Sequence, residues 1–196
     1  MADEHVFRLT LLCAWVAFIP VPAYYRIRSQ STGERLDRKQ EGLFILVALR
    51  LCGLCTLSGV MVYLIRPSSM AWSWLPLPGW LRWAGLGVFV LGNVLLAWTL
   101  MSLGKNLTDT VVTRREHTLV VSGPYAKVRH PFYDCVGLIV AGSALLAANW
   151  FIAAAGTLLF VMFALRCPIE EGKLIARFGD EYRRYMERTG RFIPKR

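Results

Sequence analysis

No histidine stands near the paired cysteines of this chain. Cys52 and Cys55 form a C-x-x-C pair inside an apolar stretch, without the ligand set that zinc or redox chemistry needs. The five cysteines (Cys13, Cys52, Cys55, Cys135 and Cys167) therefore read as small packing residues of hydrophobic helices, and no metal is expected. Acidic residues are scarce too, with 13 Asp and Glu against 23 Lys and Arg and a formal net charge of +10. The start, Met-Ala-Asp-Glu, lacks the basic region and the cleavage site of a secretory signal, so the first apolar segment is expected to be retained. No second half repeats the first, which removes the sequence signature of many transporters. Nor is there room for a loop between the apolar runs that end at 148 and begin at 150.

What the chain has in quantity is apolar surface: 55% of its 196 residues are hydrophobic and 12% aromatic, more than a water-soluble core of that length requires. The expected fold is an all-α integral membrane domain covering 1–196. Its five transmembrane helices lie at about 6–25, 43–65, 81–101, 132–148 and 150–165, followed by an amphipathic tail at 168–196. Nineteen of the 23 Lys and Arg fall in 26–41, 102–131 and 166–196. By the positive-inside rule these segments share the cytoplasmic face, with the N-terminus outside and the C-terminus inside. The charge is then a topology signal, and no nucleic-acid partner is expected.

Details follow from the same pattern. Pro20 and Pro22 predict a kink or helix end. Trp72, Trp74 and Trp80 fit an outer aromatic belt. Asn93 reads as an interhelical hydrogen-bond partner. Arg50 lies within a span, where it either snorkels to the headgroups or faces the bundle toward Asp134 or an anionic ligand. Gly137, Ala141, Ala144 and Ala148 recur at helical spacing and would let the fifth helix, with Ala153 and Gly156, approach closely. Two short tail helices are expected at 169–177 and 180–188, separated by Gly179.

Two polar runs stand out. Residues 117–133 read HTLVVSGPYAKVRHPFY: an extended piece at 118–121, a Ser-Gly-Pro turn, and a helix restarting at Pro131, where a missing N–H costs nothing. The restarted helix would direct free N–H groups back at the loop, where Tyr125, His130 and Tyr133 could line a pocket for a polar, ring-bearing ligand. The alternative is that Arg129, His130 and Tyr133 only anchor a helix among the headgroups. The second run, Arg-Cys-Pro-Ile-Glu-Glu at 166–171, returns to the same face through the hairpin of the last two spans. Asn106-Leu-Thr108 matches a glycosylation sequon that would be silent on a cytoplasmic loop.

His-Thr-Leu-Val at 117–120, Gly-x-Tyr at 123–125, Arg-His-Pro-x-Tyr at 129–133 and Arg166-x3-Glu170 together resemble the isoprenylcysteine carboxyl methyltransferase family. The resemblance continues through 178–182 and 191–194 and covers about the last ninety residues. Membrane sterol reductases carry a related run, but Phe132 stands here where their asparagine would be.

The resemblance implies a membrane enzyme that takes S-adenosyl-L-methionine from the cytoplasmic side. Its pocket would be formed by the loop between the third and fourth helices, the hairpin of the fourth and fifth, and the tail. The acceptor would be lipidic and enter laterally from the bilayer. Carried over by position, the cofactor-contacting residues are His117, Thr118, Leu119, Val120, Tyr125, His130, Pro131, Phe132, Tyr133 and Glu170, and Arg166 anchors the acceptor carboxylate. Arg129, Glu171 and Arg50 are further candidates. Eukaryotic members also have a cofactor-contacting glutamine upstream, for which Thr113 is the nearest occupant here. The membrane would be the inner membrane of a bacterium or the endoplasmic reticulum of a eukaryote.

Three readings remain open. A carboxylate acceptor is already ionised at neutral pH and needs no base. Methylating a phospholipid amine would need one, for which Glu171 is nearest, and a small hydrophobic thiol is a further acceptor class. A membrane scaffold or small transporter, with Arg129, His130 and Arg166 serving topology only, is the non-enzymatic reading.

Overall fold

Backbone in a hydrocarbon layer must satisfy its own polar groups, and this chain does so by coiling nearly throughout. A computed structural model describes residues 2–30, 43–103 and 119–195. Its helices are α1 (Ala2–Phe18), α2 (Pro20–Gln30), α3 (Leu43–Ile65), α4 (Gly79–Leu103), α5 (Pro131–Ala147), α6 (Trp150–Phe178) and α7 (Asp180–Arg188). Short 3-10 turns at Pro67–Ser73 and Gly123–Ala126 complete it. His117, Thr118, Thr113 and the sequon at Asn106 lie outside the described residues.

Among the described residues, four helical stretches are long and apolar enough to cross a membrane: Glu4–Tyr25, Leu43–Ile65, Gly79–Leu103 and Trp150–Phe178. The expected fourth span is instead α5, an apolar helix of 17 residues. At 1.5 Å per residue it is about 25 Å long, against a hydrocarbon layer of about 30 Å. The first span breaks where expected, at Ile19, and resumes with Pro20 in the first helical turn.

The closest helix contact is between α4 and α5. A methyl group on Gly142 would run into the backbone of Phe89 and Gly85, and one on Gly85 would meet the backbone of Gly142. The expected α5–α6 contact is present beside it, with Gly156 against Val140 and Gly137 against Phe160. Asn93 is buried, but its amide donates to Phe89 O of its own helix at 2.9 Å, not across helices. Arg50 is exposed on α3, so the inward-facing alternative is not what the fold adopts.

The α5–α6 turn is as tight as its spacing demanded. Ala148 takes a left-handed conformation (φ 48), and the Asn149 side chain accepts from Ile152 N at 3.1 Å to cap α6. From there α6 runs unbroken to Phe178 with Pro168 inside it, where the sequence suggested a span ending near 165 and a separate helix from 169. Proline removes one backbone donor, but a helix packed on its neighbours tolerates the loss. Continuity sets Arg166 and Glu170 one turn apart on one face.

At the far end of the bundle a buried ionic cluster holds four helices together. Arg82, 6% exposed, donates to Leu146 O at 3.0 Å and Glu4 Oε2 at 2.8 Å, and lies 3.8 Å above the centre of the Phe7 ring. Tyr63 donates to the other Glu4 oxygen at 2.6 Å. Arg82→Ala strands the Tyr63–Glu4 pair and the carbonyl of Leu146. It should destabilise the protein by about 3 kcal/mol, the lower end for breaking a buried pair because Glu4 is part-exposed. Thermal unfolding in detergent measures this, and an unshifted midpoint would show the cluster to be dispensable.

Candidate functional site

The polar loop is built as its residues require. Leu119 and Val120 are half-buried in non-helical chain leading to the turn. Gly123 has φ 61, the left-handed region glycine tolerates, and sits against Ser102 and Trp98 at the end of α4, where a side chain would collide. The 3-10 turn then presents half-buried Tyr125, whose carbonyl accepts from Tyr185 Oη at 2.6 Å and so fastens α7 to the loop. Pro131 opens α5 with His130 as its N-cap.

Backbone amides around the start of α5 find partners within the chain. Tyr133 N and Asp134 N both donate to His130 O, at 3.1 and 3.5 Å. Arg129 N donates to Gly190 O at 2.9 Å and His130 N to Arg191 O at 3.1 Å.

The site's side chains converge on two adjacent carboxylates of α6. Glu170 Oε1 accepts from Tyr133 Oη at 2.7 Å and lies 3.2 Å from Arg166 Nε, while its Oε2 is 3.4 Å from His130 Nδ1. Glu171, 3% exposed, is enclosed by cations: Arg129 Nε at 2.9 Å, Arg191 Nη2 at 2.5 Å and His130 Nε2 at 3.3 Å. Arg129 also donates to the carbonyls of Met186 and Thr189. Glu170, with 18% of its side chain exposed, is the more open of the two.

His130 sits between both carboxylates. Burial alone would lower its pKa, but hydrogen bonds to Cys167, Glu170 and Glu171 override that and push it up to about 11. Its ring is parallel to that of Tyr133 at 5.6 Å, and Tyr133 stacks in turn on Phe163 at 4.2 Å. The result is one continuous pile of three rings beside Glu170.

Of the residues expected in the site, the fold brings together Tyr125, Arg129, His130, Pro131, Tyr133, Arg166, Glu170 and Glu171. Phe132 packs on the apolar cluster of Phe89, Leu96 and Leu100, with its ring edge-on to Tyr133. Arg50 takes no part. Sequence reasoning missed Phe163, which looks like any lipid-facing residue of a span. It also missed the partners of Arg191 and Phe192, whose signal was only their place in the terminal run. Glu171, considered as a base for an amine acceptor, is occupied by three cations.

Residues 84–176 match the family described as isoprenylcysteine carboxyl methyltransferase (ICMT). The likeness first seen in residues 117–133 and 166–171 is thereby borne out. Among curated proteins of that name, the protein-S-isoprenylcysteine O-methyltransferase of Schizosaccharomyces pombe is 32% identical over 118 residues, 57% of this chain and 48% of that one. The B form from Arabidopsis thaliana is 31% identical over 118 residues, 59% of this chain and 60% of that one. The chain thus spans about half the length of the curated relatives it matches. A solved structure of the eukaryotic intramembrane Ras methyltransferase ICMT superposes with a TM-score of 0.58 and 24% identity, covering 93% of this chain and 62% of that one. That likeness is one of fold alone.

The ionisation of His130 is directly measurable. Because its folded pKa is raised, the stability it contributes is fully present below the ordinary value near 6.5 and is lost only as pH rises through about 11. Nitrogen NMR of histidine-labelled protein should show the His130 ring as imidazolium through pH 9. A neutral ring at pH 8 would mean that the two carboxylates do not hold its charge.

Proposed function

We propose that the protein is an S-adenosylmethionine-dependent methyltransferase that esterifies the carboxylate of a lipidic acceptor, working at the membrane face that carries α7. The observation that carries this reading is the pairing of Arg166 with Glu170 at 3.2 Å. One is the residue suited to anchoring an acceptor carboxylate and the other a residue suited to a cationic donor, so the two substrates' positions adjoin.

The side chains present fit such a cofactor. Glu170 keeps an exposed edge, and a carboxylate beside stacked aromatic rings suits the ammonium and sulfonium charges. When bound, S-adenosylmethionine supplies an electrophilic methyl whose sulfur leaves neutral. The chain's own contribution is placement. Tyr133 and His130 fix Glu170 from two sides. Because His130 is itself cationic, its role is to orient that carboxylate and not to touch a sulfonium. Arg166 presents planar N–H donors to an acceptor that is already ionised, with a carboxyl pKa of about 3.5 in water. The Arg166–Glu170 pair is largely sheltered, with 11% and 18% of the two side chains exposed, which strengthens their attraction.

The same geometry argues against an amine acceptor, which needs a proton removed first. Glu171, the nearest candidate base, is held ionised by Arg129, Arg191 and His130. The orientation proposed is N-terminus outside and site end cytoplasmic. Lys127, Arg129, Arg166 and Arg177 gather at the site end, whereas the connector between α3 and α4 carries Arg66 alone. Lateral entry follows from the acceptor's own chemistry, since an apolar tail is at lower free energy in the bilayer than in water.

The test is a methyl-transfer assay on purified protein with labelled cofactor, offering a prenylcysteine analogue, phosphatidylethanolamine and a short-chain thiol side by side. A base-labile ester on the prenylcysteine is expected. Turnover of the lipid amine alone would sink the carboxylate reading, and no turnover would return the site to a scaffold role.

Arg166→Lys should keep cofactor binding yet lose roughly ten- to hundredfold in activity with subsaturating acceptor, because an ammonium cannot reproduce the planar fork. Wild-type turnover in that variant would remove Arg166 from the acceptor site. Glu170→Ala should weaken S-adenosylhomocysteine binding by about tenfold or more, the scale of a charge-assisted hydrogen bond. Calorimetry in detergent reads this, and an unchanged affinity would release Glu170 from the cofactor role.

A further inference from the structure

Three consecutive residues after α7 return to the site and each engages a different part of it. Gly190 O accepts the amide of Arg129 and Arg191 O accepts the amide of His130, so the backbone here runs as a short parallel bridge alongside the loop. The Arg191 guanidinium meets both oxygens of Glu171, at 3.2 and 2.5 Å. Phe192 lies 5.2 Å from Phe160 of α6 and 6.1 Å from the His130 ring. Thr189 and Gly190 are buried.

From this arrangement we infer that residues 189–192 are a strap closing the polar site, and that Arg191 is a positioning residue acting through Glu171 on His130 and thereby on Glu170. The inference deepens the methyltransferase reading and rests on it for its consequence, though not for its geometry.

The physical reasoning runs through charge balance. Glu171 is 3% exposed and faces three cations, of which Arg191 is the one contributed by the tail. Without Arg191, Glu171 draws more strongly on the two that remain. His130 is shared between Glu171 at 3.3 Å and Glu170 at 3.4 Å, so a stronger pull from one side loosens the hold on the other. Glu170 then loses its fixed orientation without being touched itself. The effect belongs to ligand binding more than to folding, because 40% of the Arg191 side chain is exposed and its removal opens little core. A bidentate planar contact also explains why this position carries arginine, whose fork spans both carboxylate oxygens where a lysine reaches them as a point charge.

The experiment compares wild type, Arg191→Ala and Arg191→Lys, with two readouts. Hydrogen exchange followed by mass spectrometry reports the strap without any ligand. In Arg191→Ala, peptides covering 127–131 and 189–193 should exchange faster, since a strap no longer held by the Arg191–Glu171 contact opens more often and takes the Gly190 and Arg191 carbonyls away from the amides of Arg129 and His130, while α4 and the interior of α5 keep wild-type protection. Calorimetry with S-adenosylhomocysteine reports the consequence on the folded protein: roughly tenfold weaker binding in Arg191→Ala and partial recovery in Arg191→Lys, beside a small drop in unfolding midpoint from the cation lost next to Glu171. Unchanged exchange at 127–131 overturns the strap, and wild-type affinity in a folded Arg191→Ala protein overturns the positioning role. A lowered midpoint with normal affinity in the folded fraction would assign Arg191 to stability alone and also overturn that role. If the wild type itself fails to bind S-adenosylhomocysteine, the cofactor reading falls and the positioning role with it, while the exchange data still decide the strap.

Discussion

A carboxylate enclosed at the end of a membrane helix is tolerable only if enough positive charge surrounds it, and Glu171 meets that condition with Arg129, Arg191 and His130. These partners come from two places that are remote in sequence: Arg129 and His130 at the end of the loop before α5, and Arg191 in the tail after α7. One buried negative charge therefore fixes how the loop, α6 and the tail meet. It also leaves its neighbour free for other use. Glu170 is held by lighter contacts and keeps part of its surface open. On the proposed reading, two adjacent carboxylates divide structural and ligand-facing duties through environment alone.

The apolar part of the molecule serves that arrangement. Gly85 and Gly142 bring α4 and α5 close, and the tight turn at Ala148 sends α6 back alongside α5. With α6 continuous through Pro168, a residue at 166 and one at 170 point the same way, and the start of α5 lies directly opposite them.

Much of this was legible beforehand, for physical reasons. The α3 span was bounded by polar residues on both sides and was read to its ends. The Ser-Gly-Pro turn and the proline start of α5 are local backbone chemistry, which a sequence displays directly. The hairpin followed from there being no residues left to form a loop. The tertiary features were less visible. Pro168 signals a break by every local rule, and only packing from neighbours lets the helix continue through it. Phe163 carries no mark separating it from the lipid-facing residues of the same span. Arg82 carried no signal in the sequence, because nothing local reveals that Glu4, Tyr63 and Leu146 converge on it.

That far-side cluster bears on how the protein is made. Its members lie at positions 4, 63, 82 and 146, so the first helix enters the membrane long before most of its partners exist. During synthesis Glu4 must wait, hydrated at the membrane surface, until α4 emerges with Arg82, and Arg82 in turn lacks its backbone acceptor until the end of α5 has been translated. Early helices are then free to move relative to one another, and the bundle locks only when the turn before α6 is complete. The same turn begins the helix that carries Arg166, Glu170 and Glu171. The scaffold therefore closes at the moment the residues of its polar site begin to be delivered.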